Sequence, residues 1–431
     1  MFETWKNAFK QEDLRKKILY TLFIIFIFRL GSAIPTPFIN PTALKSMVSG
    51  GADFLSYLNI MTGGGLEQAN IFAMSITPYI NSSIIIQLLT VAIPALERLA
   101  KEGTEGQKTI QKITRYTTFV LAIMQAIGFY FVMRRTNGVL EYTTGFSGVF
   151  AAIVIVAVFT AGTAVVVWLG DRITEKGIGN GISIILFAGI LSRGPAAFMQ
   201  LAAWWQLGSS NPMYYFLVPF IVLVFIAMIA FIVFMTDAER RIPVSYAKRV
   251  VGRKMYGGQN SHIPIKVNMT GVMPIIFAMS FLSIPNMIGS FANVKEGGFW
   301  DKFFKLFQTN SWVYAVLYLL LIVAFNYFYV AIQYNPVEIA NNLRKNNGAI
   351  PGIRPGKPTS DFIARVISKV TLVGAIFLGI IAVFPIVFSA ITKTNVSLGG
   401  TSILIIVGVA LETMRQMESQ MMMRHHKGFL E

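Results

Sequence analysis

The sequence predicts an all-α, polytopic membrane protein of ten transmembrane helices, and three observations carry that prediction. Of the 431 residues, 54% are hydrophobic and only 13% are charged, whereas soluble domains average about 25% charged and 45–50% apolar. The apolar residues gather in long runs with polar flanks, and a helix needs about 20 such residues to cross the hydrocarbon layer. Basic residues are also distributed unevenly between the loops. With the amino terminus inside, 28 Lys and Arg residues fall in inside segments, 8 in outside segments, and Arg29 within the first run. That asymmetry follows the positive-inside rule, and a single missed span would invert it downstream. The net charge of +17 is therefore read first as an orientation signal rather than as a nucleic-acid footprint.

The ten runs lie at about 18–34, 71–93, 113–133, 147–170, 181–201, 213–235, 270–291, 311–332, 367–388 and 399–417. Met1 to Lys17 is polar, and the first run lacks a small-residue cleavage site, so it reads as a span and not as a cleaved leader. Trp5 and Phe9 among the basic residues of this stretch suit an amphipathic helix on the inner membrane face.

The outside segment 35–70 contains FLSYLNIMTGGG, a half-length hydrophobic stretch ending in Gly63, Gly64 and Gly65. It is too short to span and reads as re-entrant. Irregular backbone at membrane depth is tolerated only where protein or a water-filled cavity surrounds it, which implies a cavity open to the outside. Two inside loops, 236–269 and 333–366, are long and basic. RRIPVSYAKR and AIPGIRPGKP within them suggest ordered protrusions that meet a partner, against the plainer reading of orientation signals alone.

Helical spacing in the second run places Ile76, Ile80, Ser83, Gln87 and Thr90 on one face. Polar residues there either glue helices together or line a pathway that is apolar at its middle and wettable toward the inside. EKGIGNGISI carries Gly177, Gly179 and Gly181 after a charged segment and before an apolar run, which fits a turn into the fifth span better than a dinucleotide site. Arg29 either snorkels to the outer surface or pairs within the bundle. There is no cysteine, no HExxH pattern and no P-loop. His262, His425 and His426 lie in loop or tail segments, so neither catalysis nor a cofactor or metal is expected.

Separated stretches taken in order resemble the SecY/Sec61 family of protein-conducting channels. They are FRLGSAIPTPFI (28–39), IFAMSITPYINSSIIIQLLT (71–90), EGQKTIQKITRY (105–116), EKGIGNGISIILFAGI (175–190), RRIPVSYAKR (240–249), HIPIKVNMTGVMPIIFA (262–278), AIPGIRPGKPT (349–359) and GGTSILIIVGV (399–409).

The resemblance implies two inverted halves that open like a clamshell, here residues 1–201 and 213–418, followed by a tail at 419–431. It implies a pore ring of Ile76, Ile80, Leu186, Ile276 and Ile405, with leucine standing where most family rings are mainly isoleucine. It implies a plug at 54–65 made by Phe54, Leu55, Tyr57, Leu58, Asn59, Ile60, Gly63, Gly64 and Gly65. A lateral gate between the second and seventh spans would use Ser83, Gln87, Thr90, Pro274, Ser280 and Pro285, with both prolines interrupting the seventh span. Docking of the SecA motor or the ribosome, ribosomal RNA included, would use Arg240, Arg241, Lys248, Arg249, Arg253, Lys254 and Arg354. Also implied are SecE-like and SecG-like small subunits, and signal sequences and nascent chains that pass to lipid through the gate. The expected location is the bacterial inner membrane, with both termini cytoplasmic.

Three competing readings remain on the residues alone. A secondary transporter shares inverted repeats, but no carboxylate lies near the middle of a run, where ion coupling usually places one. A membrane enzyme would need a cluster of His, Asp or Glu at one depth. A structural scaffold would not need a half-length segment followed by an isoleucine face.

Overall fold

The computed structural model describes residues 9–49, 59, 64–136, 138–209, 211–246, 249–251, 254–256, 260–291, 298–307, 311–392 and 400–425. Its helices are α1 (Glu12–Ser32), α2 (Pro41–Ser49), α3 (Thr77–Ala92), α4 (Pro94–Lys101), α5 (Thr104–Arg135), α6 (Gly145–Lys176), α7 (Gly181–Leu191), α8 (Gly194–Leu207) and α9 (Met213–Asp237), followed by α10 (Met273–Phe291), α11 (Phe299–Leu306), α12 (Trp312–Gln333), α13 (Pro336–Lys345), α14 (Lys357–Thr392) and α15 (Gly400–His425). Among the described residues, six helical stretches are long and apolar enough to cross a membrane: α5, α6, α7 with α8, α9, α12 with α13, and α14. A seventh, α3 with α4, is bent by 101° where Pro94 follows Ile93. The first, seventh and last expected runs coincide with α1, α10 and α15, which fall outside that set.

The chain folds as two compact units. One comprises Met1–Ser210, Ser283–Gln308 and Val409–Glu431; the other comprises Asn211–Leu282 and Thr309–Gly408.

In the first unit, α2, the turns at 66–74, α5 and α6 pack together around Leu44, Ala126, Met133, Ile155 and Phe159, all fully buried. The Phe129 and Phe159 rings meet at 5.7 Å. Ser82 is fully buried and donates to the Thr114 carbonyl on α5 at 2.7 Å. Leu14 and Ile18 of α1 pack with Ile178 and with Met417 of α15, and Lys17 Nζ donates to Gln420 Oε1 at 3.1 Å.

The second helix was expected from about residue 71 but begins at Thr77, with Pro78 in its first turn. Proline is favoured there because it needs no hydrogen-bond partner for its nitrogen. The preceding residues 64–76 form a chain of mostly buried turns rather than helix. A β-carbon on Gly31 of α1 would strike the Phe72 ring, and one on Gly162 of α6 would strike the Ile71 carbonyl oxygen. These two glycines let helices close on the irregular backbone.

The glycines at 177–181 have a sharper role than turning the chain. Gly179 adopts φ +83°, and a β-carbon on Gly181 would fall on the Gly170 carbonyl oxygen of α6. The Asn180 side chain caps α7 by accepting from Ile182 N at 3.1 Å and Ser183 N at 3.3 Å, as N-cap asparagines do.

The second unit corrects the all-α expectation. Strands β1 (Glu239–Tyr246), β4 (Asn260–Lys266) and β5 (Gly348–Ala349) form an antiparallel sheet in the order β4-β1-β5, and β2 (Arg249–Val251) pairs with β3 (Lys254–Tyr256). RRIPVSY, expected only as part of an ordered protrusion, is a strand in which Ile242 and Val244 alternate inward, the two-residue period of a half-buried strand. Ser245 opposes Ala349 and Tyr246 opposes Gly348, so both long inside loops enter one folded body. Its core holds Ile242, Val244, Ile265, Val330, Leu343, Ile350 and Ile363.

Gly181→Ala is expected to cost about 1–3 kcal/mol through overpacking against α6, read as a lower thermal unfolding midpoint in detergent. Gly194→Ala meets nothing within 4 Å and is expected to stay within about 0.5 kcal/mol.

Candidate functional site

Ile76 is the residue on which irregular backbone becomes helix. It is fully buried, and its carbonyl accepts the first helical bond of α3 from Ile80 N at 3.0 Å. Ser75 beside it holds φ +45°, and Ala69 earlier in the same segment holds φ +50°. Left-handed backbone is uncommon for residues bearing a β-carbon and gathers at sites whose surroundings over-determine it. Ile80 is half-buried one turn into α3. Leu186 is buried on α7, and in the second unit Ile276 on α10 and Ile405 on α15 are buried as well.

The face of α3 separates two kinds of polar residue. Ser82 makes the bond to α5, so it is the interhelical glue on this helix, and sequence spacing did not mark it out. Ser83, Gln87 and Thr90 are half-buried and bond along α3 itself. Gln87 Nε2 donates to Ser83 Oγ at 3.5 Å, and Thr90 Oγ1 donates to the Ile86 carbonyl at 2.7 Å. In α10, Pro274 is the second helical residue and so starts the helix instead of interrupting it, while Pro285 lies within. Ser280 sits between them, half-buried.

Of the expected plug residues, Phe54, Leu55, Tyr57, Leu58, Ile60 and Gly63 lie outside the described residues. Asn59 is helical and buried. Its Nδ2 donates to Glu67 Oε2 at 3.1 Å, its Oδ1 accepts from Glu67 N at 3.1 Å, and its carbonyl accepts from Gly64 N at 2.8 Å. Glu67 also lies 3.4 Å from Lys45 Nζ and 3.8 Å from Arg193 Nη2. Nothing in sequence spacing brings residues 45, 67 and 193 together. Gly64 holds φ +88° and Gly65 is buried. Arg29 pairs within the bundle: its Nη2 donates to the Ala188 carbonyl on α7 at 2.6 Å.

Arg240 and Arg241 on β1 and Arg354 after β5 are exposed. The Arg241 guanidinium meets Glu239 at 2.6 Å. Arg249 and Lys254 fall on β2 and β3, and Lys248 and Arg253 lie outside the described residues. Among the described residues, no group of three His, Asp or Glu side chains is placed to hold a metal ion.

The SecY family model matches residues 70–414. A Streptomyces coelicolor protein, protein translocase subunit SecY, is 43% identical over 453 residues and covers 100% of both chains. Among solved structures, a protein-conducting channel aligns with TM-score 0.64 at 18% identity over 94% of this chain and 92% of its own. Sec61 from a canine ribosome–channel complex of the endoplasmic reticulum aligns with TM-score 0.60 at 16% identity over the same shares.

Ser82→Ala is expected to cost about 0.5–1.5 kcal/mol, the net worth of a buried hydrogen bond, whereas Ser83→Ala should change stability by less than about 0.5 kcal/mol. Unfolding midpoints of the two variants in the same detergent check the difference.

Proposed function

Because this chain belongs to the SecY family, a family of protein-conducting membrane channel subunits rather than enzymes, we propose that it is a passive, gated conduit for unfolded polypeptide. Ten spans form two inverted halves, 1–201 and 213–418. Ile76, Ile80, Leu186, Ile276 and Ile405 form the constriction between an inner and an outer funnel. A narrow ring of branched apolar side chains dewets and excludes ions. It also offers a passing chain no lasting polar bond, so it tolerates varied sequences. Residues 54–65 plug the outer funnel at rest.

The observation that carries this reading is the passage from irregular backbone to helix at Ile76. A bilayer admits such backbone only where protein or a water-filled cavity surrounds it, and the segment ends on a residue of the proposed ring. The half-buried polar face of α3, continuing inward through Ser83, Gln87 and Thr90, supports a lateral gate formed with α10 at Ser280 and Pro285. Signal sequences and apolar segments of nascent chains would reach lipid there.

Energy comes from partners. The exposed Arg240 and Arg241 lie on a packed sheet and the exposed Arg354 follows its strand β5, and guanidinium forks suit both phosphate and carboxylate. That supports docking of a ribosome through its RNA, or of an acidic face of the SecA ATPase. A SecE-like subunit would hold the halves together, and a SecG-like subunit would join them. The basic loops face the cytoplasm, as both termini would, in a bacterial inner membrane.

Planar-bilayer conductance tests the reading. The intact assembled channel is expected to stay near zero, and a variant lacking residues 54–65 to conduct or flicker open. Equal, near-zero conductance in both contradicts the plug.

A further inference from the structure

The second unit contains a buried polar tie that the constriction and the docking loops do not use. Thr270 Oγ1 donates to Asn326 Oδ1 at 2.6 Å, and Asn326 Nδ2 donates to the Thr371 carbonyl at 2.9 Å. The Thr371 hydroxyl turns back to the Ile367 carbonyl at 2.8 Å. The three side chains are 7%, 3% and 1% exposed. Asn326 lies inside WVYAVLYLLLIVAFNYFYVAIQ, a helix otherwise apolar or aromatic up to Gln333. An amide in such a run is costly to bury unless its donors and acceptors are matched.

The tie holds the strand-to-helix connection that leads into α10. Val267 N donates to the Ala238 carbonyl at 2.9 Å. Gly374 of α14 lies so close that a β-carbon there would fall on the Val267 carbonyl oxygen. Thr270 is then fixed through Asn326 to α12 and α14 together. Immediately beyond it Gly271 takes φ +64° with open space around it, and α10 begins at Met273, carrying Ile276 in its first turn. A clamped residue followed at once by a glycine in left-handed backbone is the arrangement of a pivot.

We propose that Asn326 is a positioning residue for gating: its bond to Thr270 fixes the pivot at Gly271 about which α10 swings, and so sets the resting position of Ile276. The inference rests on the gate reading of α10. The bond is made in the resting position and lost as α10 swings, so a buried neutral hydrogen bond of this kind biases the equilibrium toward rest by about tenfold, or 1.4 kcal/mol. Its loss frees α10 by that factor.

Thr270→Val removes the donor while keeping the shape, and Thr270→Ser keeps the donor. Resting open fraction is measured in planar bilayers for these two full-length variants, for Asn326→Leu, for the Val–Leu double variant and for the chain lacking residues 54–65. Thr270→Val and Asn326→Leu are each expected to raise the open fraction about tenfold. The double variant should go no further than the larger single one, as partners in one bond do, and Thr270→Ser should behave as the intact chain. A lower unfolding midpoint with an unchanged open fraction in Thr270→Val, while the 54–65 deletion conducts, overturns the pivot and leaves the channel reading standing. If the deletion also fails to conduct, the plugged-channel reading fails and the pivot fails with it.

Discussion

Backbone that leaves the helix inside a bilayer must find its hydrogen bonds in protein, because the surrounding lipid offers none, and on the proposed channel reading residues 64–76 are where this chain meets that demand. Thr36 N donates to the Ala69 carbonyl at 2.7 Å, Ile71 N to the Ile34 carbonyl at 3.0 Å, and Asn70 Nδ2 to the Ser32 carbonyl at 2.9 Å. The end of α1 and the extended residues after it thus serve as a partner strand for the turns. Gly31 and Gly162 let α1 and α6 close over the segment from two sides, and Phe28 stacks on Phe72 at 5.7 Å. With the irregular piece anchored in this way, α3 can start at Thr77 with Ile76 fully buried at its mouth. If the bonds at 34–36 and 69–71 were lost, the starting point of α3 would no longer be defined, and with it the depth at which Ile76 and Ile80 sit.

The second unit meets a comparable demand with side chains. Asn326 joins the α10 connection to two helices through its amide, and the described parts of the two basic loops share one sheet and one apolar core. Exposed arginines on a packed platform lose less entropy on docking than the same residues on free loops. Within this chain, apolar side chains act where indifference to sequence is useful, at the proposed ring. Directional polar bonds act where position has to be fixed, at Asn59 with Glu67 and at Thr270 with Asn326.

Much of this was legible beforehand. The runs at 213–235, 311–332 and 399–417 start within a residue of α9, α12 and α15, because apolar length and polar flanks are the physics that sets a membrane helix. Most of the half-length segment before the second span lies outside the described residues, and the irregular backbone that is described, 64–76, reaches into the run expected as the second span. The start of α3 was misjudged because IFAMSI is as apolar as the helix that follows, and only tertiary hydrogen bonding distinguishes turns from helix there. The strand at Glu239–Tyr246 was missed because two alternating residues, Ile242 and Val244, are too short a pattern to stand out between arginines. Glu67, Ser82, Thr270 and Asn326 were invisible for a different reason: their partners lie 8, 32 and 56 residues away, and single-sequence periodicity carries no information at such separations.

The central claim is that the chain carries unfolded polypeptide and supplies no chemistry or driving force of its own. It is tested most directly by reconstituting the chain with a SecE-like subunit in sealed vesicles and following protease protection of an unfolded presecretory protein. Protection that appears only when the motor ATPase and ATP are both present, and that vanishes when the chain is omitted, is the predicted result. Failure of the polypeptide to become protected under those conditions, with the motor shown to bind and hydrolyse ATP, would contradict the account.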